Sequence, residues 1–162
     1  MDDAAVQAGQ ASYRAAMRAF ATGVAIIACG RGDNRAGCVA TAVASLSLDP
    51  PSLIVNLQRD GSTYRRLRES DAFSVNFLRP EQETLAQRFA GGAPAAERFA
   101  GGAWTEAETG APALADALAS LDCRIEEILE RYTHAIVIGR VAAARSAEGP
   151  ALLHFRGAFA WV

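Results

Sequence analysis

The sequence contains no lysine, and all sixteen of its basic residues are arginine. Without a lysine ammonium, the chain can form neither a Schiff base nor a Walker-type phosphate loop. Histidine is almost as scarce, with two residues, and neither a Cys-x-x-Cys nor a His-Glu-x-x-His motif occurs. Tetrahedral metal sites draw most of their ligands from cysteine and histidine, so we expect no dedicated metal site.

The chain also lacks a strong charge and a long apolar run. Its formal net charge of −2 provides no long-range attraction to nucleic acid or to an anionic membrane. No apolar run reaches membrane-spanning length, and the acidic opening MDDAAVQAGQ differs from the basic start of a signal peptide. The three cysteines, Cys29, Cys38 and Cys123, are odd in number and lie in apolar runs, which fits free thiols in a reducing compartment. We therefore expect a cytoplasmic protein with no nucleic-acid or membrane partner.

A length of 162 residues is typical of one domain, and we assign residues 1–11 to a flexible N-terminus and residues 12–162 to that domain. Alternating and apolar runs predict at least six strands. These lie at 24–29, 37–48, 52–57, 72–78, 123–128 and 134–141, with a last one within 152–162. No Gly-x-Gly-x-x-Gly motif follows a strand, so a Rossmann domain is not supported. The pattern predicts a mainly β fold, an antiparallel barrel of Greek-key type with a few short flanking helices.

Short helices are predicted to begin at Ser12, at Ser62 or Thr63, and at Pro80, and another covers 113–121. Three large apolar residues of the first helix share one face, which we expect to cover an end of the barrel. They are Tyr13, Met17 and Phe20. Segment 87–112 contains RFAGGA twice and is rich in alanine and glycine, so we expect a long mobile loop there.

The stretch GCVATAVASLSLDPP, residues 37–51, is the most distinctive in the chain. Strand alternation places three hydroxyls, of Thr41, Ser45 and Ser47, on one face together with Val39 and Val43. Side chains this small leave the backbone reachable, so a flat polar ligand could lie against this face. The pattern alone equally fits an ordinary alternating strand packed in a barrel.

A second candidate site lies at Gly61-Ser62-Thr63, where a helix is predicted to begin. Free amides and the positive end of the helix dipole favour an anion there. The two hydroxyls, with Arg59 and one of Arg65 or Arg66, could complete a phosphate cradle. The alternative is a plain N-cap with solvated arginines.

Six stretches resemble, in order, the short-chain flavin reductases, the reductase components of two-component flavin monooxygenases, which have the FMN-binding split-barrel fold. GCVATAVASLSLDPPSLIVNL is similar to their flavin-binding stretch, and RAAMRAFATGVAIIAC to their opening helix and first strand. FSVNFL resembles their middle strand, and QRFAGG with RFAGGAW their central loop. GAPALADALASLDCRIEE and HAIVIGRV are similar to their later part, so the resemblance runs from about Ser12 to Trp161.

The resemblance implies an NAD(P)H:flavin oxidoreductase that reduces FMN or FAD with NADH or NADPH and supplies the reduced flavin to a partner monooxygenase. It also implies a homodimer in which both subunits line each site. The implied flavin-binding residues are Thr41, Ala42, Val43, Ser45, Ser47, Asn56, Arg59, Ser62, Thr63 and Phe99. His134, which spacing alone would place among surface residues, matches a histidine beside the flavin where the nicotinamide docks.

Three positions depart from the family pattern. Val39 stands where a threonine is common, Ala44 where many relatives have cysteine or another side chain, and Tyr132-Thr133-His134 where Gly-Asp-His is usual. These departures bear on the flavin preference and on the nicotinamide site. Two alternatives remain open, a split-barrel protein that binds flavin without reducing it, and an oxidase of the pyridoxamine-phosphate type.

Overall fold

The computed structural model describes residues 3–162, and the side chains of all of these except residues 3–5 and Ala96. The described residues form twelve strands. These are β1 (Thr22–Gly23), β2 (Ala25–Cys29), β3 (Ala36–Ala40), β4 (Val43–Leu48), β5 (Pro51–Gln58), β6 (Ala72–Phe77), β7 (Trp104–Glu106), β8 (Pro112–Leu114), β9 (Ala119–Arg131), β10 (His134–Ser146), β11 (Leu152–Phe155) and β12 (Ala158–Trp161). The α-helices are α1 (Asp3–Arg18), α2 (Ser62–Leu67) and α3 (Glu83–Gln87).

Seven strands form one antiparallel sheet in the order β3-β2-β6-β9-β10-β5-β4. Strands β3 and β4 lie at opposite ends of this order, yet only residues 41 and 42 separate them in sequence. Three residue steps separate Ala40 from Val43 and span roughly 11 Å at most, so the ends of the two edge strands must lie close together. The sheet is therefore rolled into a barrel, which confirms the predicted fold class. The predicted continuous strand 37–48 is wrong, because the chain changes edge at this link.

The barrel interior is filled by the inward-facing residues of these strands. Every residue of β2 is buried, and Ile27 packs inside with Val55, Phe73 and Val137, all fully buried. Burying a side chain of this size stabilises the fold by about 1.5–3 kcal/mol. Alternate residues of β2, such as Ile26, face outward and pack in a second cluster.

This second cluster contains Leu85 and Phe89 and lies between the barrel and segment 87–112. A long loop without regular structure was the wrong prediction for this segment. It contains a π-helical turn (Arg88–Gly92), a 3₁₀ helix (Ala95–Ala100) and β7. Aromatic side chains hold it in place, since Phe99 packs edge-on against both Phe89 and Trp104.

The first helix differs from the prediction in both extent and packing. Helix α1 begins at Asp3 and not at Ser12, so residues 3–11 are helical and Ser12 is not its cap. Tyr13, Met17 and Phe20 do not cover the barrel in this chain, since they are 66%, 47% and 64% exposed. The division of the chain at residue 12 stays a prediction, and residues 1–2 lie outside the described part.

Two further predictions are wrong near the C-terminus. The predicted helix over 113–121 is instead strand β8, a turn, and the start of β9. Segment 152–162, predicted to hold one strand, is a hairpin of two, because Arg156 and Gly157 both have positive φ and reverse the chain between β11 and β12. Among residues 3–162, no helix combines the length and the apolar character that a membrane crossing requires.

Candidate functional site

An open cleft of about 640 Å³ lies where β3, the link at residues 41–42, the start of α2 and the β9–β10 turn meet. Its volume lies within the range of small-molecule sites, roughly 300–1,000 Å³. Its lining combines small apolar residues with several polar groups. The polar and aromatic lining residues are Tyr13, Cys38, Thr41, Asn56, Gln58, Thr63, Tyr64, Arg131, Tyr132, Thr133 and His134.

The link between β3 and β4 presents unpaired backbone to this cleft. The Ala42 carbonyl accepts a hydrogen bond from the Asn56 amide at 3.0 Å, which anchors the link to β5. The amides of Thr41 and Ala42 donate to no other residue within the described part of the chain. A neighbouring hollow of about 360 Å³ is lined by the same two residues and by Val43. The link therefore offers fixed donors to a ligand in either space.

The start of α2 carries a buried hydroxyl without a partner. Gly61 is the N-cap in extended conformation, and Thr63 is 3% exposed. Thr63 Oγ1 has no hydrogen-bond partner among the described residues. Burial raises the pKa of the Cys38 thiol, and the nearby Thr63 hydroxyl partly opposes that rise. The thiol and the hydroxyl nevertheless do not meet hydrogen-bond geometry. A buried hydroxyl left unpaired is costly, so this group is suited to a ligand atom.

His134 begins β10 directly after a tight turn. Arg131 pairs with His134 across the β9–β10 hairpin, which leaves Tyr132 and Thr133 as a two-residue loop. Tyr132 adopts φ 51° and is 94% exposed. Thr133 Oγ1 lies 2.8 Å from His134 Nδ1, and Nε2 has no partner among residues 3–162. The imidazole is thus oriented by one ring nitrogen and offers the other to the cleft region.

The arginines expected around a phosphate are bonded within the protein. Arg59 Nη1 donates to the Tyr132 carbonyl at 2.9 Å, and its Nη2 pairs with Glu130. Arg65 donates to the Asp60 carbonyl at 2.6 Å, and Arg66 pairs with Glu69 at 2.6 Å. A phosphate role for Arg59 stays a prediction, while its present bonds link β5 to the β9–β10 turn.

The cleft brings together five of the predicted residues: Thr41, Ala42, Asn56, Thr63 and His134. The others lie apart from its lining. Ser62 is half-buried at the helix start, and Ser45 and Ser47 lie farther along β4, where the Ser47 hydroxyl donates to the Asp49 carbonyl at 3.0 Å. Phe99 lies in the second apolar cluster. Val43 lines the neighbouring hollow and not the cleft. Binding roles for Val43, Ser45, Ser47, Ser62 and Phe99 stay predictions, as do those of the five residues that line the cleft.

Sequence reasoning missed Tyr64 as part of the site. Tyr132 departs from the family pattern, and it and its neighbours form one rim of the cleft. Tyr64 enters from the inner face of α2 and donates a hydrogen bond to Glu130 at 2.6 Å. These residues are 66 positions apart, so no local spacing could have revealed the pair.

Comparison with known proteins finds relatives that match most of this chain. The family description "Flavin reductase like domain" matches residues 17–162. The FMN reductase (NADH) RutF of Agrobacterium fabrum is 40% identical over 144 residues, which cover 88% of this chain and 83% of that protein. The FMN reductase (NADH) RutF 1 of Methylorubrum extorquens strain PA1 is 43% identical over 152 residues, 93% of this chain and 75% of that protein.

Solved structures show the same fold. BorF, the flavin reductase component of a bacterial two-component tryptophan halogenase, superposes with a TM-score of 0.86 at 30% identity, covering 94% of this chain and 98% of that one. The NADH:FAD oxidoreductase SgcE6 of Streptomyces globisporus, in complex with NAD and FAD fragments, gives a TM-score of 0.84 at 30% identity, covering 93% and 91%. The chain belongs to the flavin reductase like domain family.

Proposed function

We propose that this protein is an NADH-dependent flavin reductase that transfers a hydride from NADH to FMN. The observation that carries this proposal is the cleft, where the free amides of Thr41 and Ala42 and the unpartnered Thr63 hydroxyl lie together. Relatives about 40% identical in sequence support the choice of FMN and NADH, since they are FMN reductases (NADH). FAD remains the alternative flavin, because SgcE6 is an NADH:FAD oxidoreductase.

A flavin fits the groups that the cleft presents. The ring system is flat and carries several hydrogen-bond acceptors, which match the fixed amides of the 41–42 link. The phosphate end matches the start of α2, where Thr63 Oγ1 lacks a partner. When bound, the flavin supplies the hydride-accepting chemistry, so the protein needs only to bind, orient and shield the two reactants.

His134 is proposed to bind the nicotinamide substrate. Its Nδ1 lies against Thr133 Oγ1, which fixes the ring and leaves Nε2 to contact the carboxamide or a phosphate of NADH. Such a contact is the same in the ground state and the transition state, so it contributes to substrate affinity more than to turnover.

Reduced flavin is proposed to pass to a separate flavin-dependent monooxygenase by diffusion or transient contact. Support comes from BorF, the reductase component of a two-component halogenase. The openness of the cleft, with the exposed Tyr132 at its rim, is compatible with exchange of flavin as a substrate.

A homodimer is proposed as the working assembly. Helix α1 exposes Tyr13 and Met17, and Phe20 is exposed just after the helix ends at Arg18. Strand β4 exposes Leu46 and Leu48, so the single chain leaves large apolar side chains in solvent. Tyr13 also lines the cleft, which places this apolar helix at the site. Light scattering at micromolar concentration tests the assembly, and a monomer contradicts it.

A cytoplasmic location is proposed from the cysteines. All three have free thiols, and Cys29 and Cys123 are buried in the barrel core. Free thiols persist in reducing compartments. Fractionation of the native host with an antibody against the protein tests this location, and recovery in an oxidising compartment contradicts it.

The decisive experiment mixes purified protein with NADH and free FMN and follows the loss of NADH absorbance. A rate that rises with added FMN, and is lower with NADPH, establishes the reductase. Repeating the assay with FAD and riboflavin ranks the flavins. A tightly bound yellow chromophore without NADH consumption would instead identify a flavin-binding protein.

A further inference from the structure

Arg59 holds the turn that precedes His134 by two separate contacts. The Arg59 amide donates to the Thr133 carbonyl at 3.0 Å, and its Nη1 donates to the Tyr132 carbonyl at 2.9 Å. Both carbonyls of the two-residue loop therefore accept hydrogen bonds from a single residue, which directly follows β5. A turn held in this way cannot move without breaking both bonds.

Glu130 in turn fixes the guanidinium of Arg59. Its Oε2 pairs with Arg59 Nη2, while its Oε1 accepts a hydrogen bond from the Tyr64 hydroxyl at 2.6 Å and lies 3.8 Å from Arg68 Nη1. The Tyr64 ring is packed in the barrel core, so it ties this carboxylate to the interior. The Tyr64 hydrogen bond, and then Arg59 and Arg68, lower the pKa of Glu130, and the carboxylate stays ionised.

A second ion pair on the same hairpin shows what an ordinary surface pair looks like. Arg140 Nε donates to Glu126 Oε1 at 2.7 Å, also between β10 and β9. Neither of these residues lines the cleft or contacts the turn within the described part of the chain. Exposed pairs of this kind contribute little to stability. The Arg59–Glu130 pair differs because one end reaches the core and the other reaches the loop before His134.

We propose that Arg59, Glu130 and Tyr64 form a brace that positions His134 for the nicotinamide substrate. The inference rests on the proposed NADH-dependent reduction, in which His134 binds NADH. The three are positioning residues, since their effect on NADH passes through the Tyr132–Thr133 loop. If the loop were released, the imidazole would leave its binding position. The amides of Thr41 and Ala42 lie on another segment and would not move with it.

The first test compares Glu130→Gln with the matched control Glu126→Gln in steady-state kinetics. Glu130→Gln keeps the side-chain shape but weakens both the ion pair and the tyrosine bond. We expect its KM for NADH to rise at least about fivefold, with kcat and the KM for FMN within about twofold of the wild type. Glu126→Gln should leave all three constants within about twofold. Equal behaviour of the two variants, or a matching rise in the KM for FMN, overturns the brace.

Replacement of Arg59 provides a graded check. Arg59→Ala should raise the KM for NADH as Glu130→Gln does, and Arg59→Lys should recover only part of the loss. A lysine keeps the charge but lacks the forked donor that reaches a carboxylate and a carbonyl together. Full recovery by lysine would mean that charge alone is needed, which contradicts a geometric brace.

A spectroscopic test separates the brace from the proposed reaction. The chain has two histidines, so the ring Cε1–H resonance of His134 can be followed by NMR with His154 as internal reference. Glu130→Gln should shift or broaden the His134 resonance and leave that of His154 in place, and Glu126→Gln should move neither. An unmoved His134 resonance overturns the brace. Failure of the wild type to oxidise NADH overturns the proposed function instead, and the resonance still decides whether the loop is held.

Discussion

Two sets of polar groups lie against the same barrel and differ in how fully they are hydrogen-bonded. On the outer face of β6, every donor and acceptor of the Asn76 side-chain amide is hydrogen-bonded. Its Nδ2 donates to the Ile26 carbonyl and to Ser74 Oγ. Its Oδ1 accepts from the Leu114 amide and the Ser120 hydroxyl. In the cleft, Thr63 Oγ1 is just as buried but has no partner among the described residues.

The difference indicates what each set is for. A buried network with every bond made rigidifies the fold, and this one fastens β8 and the preceding loop onto the barrel. Nearby, Asp122 accepts from both the amide and the hydroxyl of Thr109 in the same way. A buried polar atom with no partner lowers stability, so its presence in a cleft points to a ligand that supplies the missing bond.

The largest expected effect comes from cutting the satisfied network at its centre. Asn76→Ala leaves several buried partners unpaired and should lower the free energy of unfolding by about 3 kcal/mol or more. Asn56→Ala is the matched control in the cleft, where the side chain is exposed, and should change it by less than about 0.5 kcal/mol. Urea denaturation measures both. Similar losses at the two positions would remove the distinction between the regions.

A pair of isosteric changes tests the same contrast at a single hydroxyl. Thr109→Val removes a bond to the Asp122 carboxylate and should cost about 1.5–3 kcal/mol of unfolding free energy. Thr63→Val removes an unpartnered hydroxyl, so ligand-free stability should stay level or rise by up to about 1 kcal/mol.

The same Thr63→Val variant should bind FMN about fivefold more weakly, because the proposed phosphate contact is lost. Binding of riboflavin, which has no phosphate, should change little. Fluorescence titration of both flavins measures the difference. An equal loss for FMN and riboflavin would place Thr63 away from the phosphate.

The barrel itself was predictable because its signal is local. Apolar runs such as 24–29 and 134–141 predict strands by alternation and β-branched residues, and the structure confirms them as β2 and β10. The helix predicted at 113–121 is wrong because helix propensity was outweighed by pairing. Leu114 pairs with Trp104, and Leu121 pairs with Val75 of β6.

From the residue pattern alone, the site was predictable only where its residues are close in sequence, and the family resemblance added Asn56 and His134. Thr41, Ala42 and Thr63 lie in short stretches whose hydroxyls and small side chains stand out. The bond between Tyr64 and Glu130, and the hold of Arg59 on Tyr132, join residues far apart in the chain. No local sequence pattern around these residues could predict that the barrel brings them into contact.

His134 is an exposed residue whose hydrogen bonds are also incomplete, because its Nε2 has no partner among residues 3–162. His134→Ala should raise the KM for NADH about fivefold or more and leave flavin affinity nearly unchanged. His154→Ala is the control, since that ring packs against Phe159, 6.0 Å between centroids, and lies outside the cleft lining. Kinetics with each substrate varied in turn measure both variants. Unchanged NADH kinetics would return His134 to an ordinary surface residue, and a loss of flavin affinity would place it on the flavin ring.

The smallest expected effect concerns Glu130, whose carboxylate is hydrogen-bonded to Tyr64 and paired with Arg59 beside the cleft. The Tyr64 hydrogen bond, followed by Arg59 and Arg68, lowers the pKa of Glu130 from its ordinary value of 4.5. A carboxyl with a lowered pKa in the folded state stabilises the fold fully above its unfolded pKa, and that contribution disappears as pH falls through the folded value.

The difference in unfolding free energy between the wild type and Glu130→Gln should therefore be constant near neutral pH and shrink as the pH falls below about 4.5. Urea denaturation of both proteins between pH 7 and pH 3 measures this difference, and all other titrating groups cancel because the two chains share them. A difference that stays constant down to pH 3 would show that the carboxylate is not held by Tyr64 and the arginines, and would place Glu130 among the ordinary surface charges.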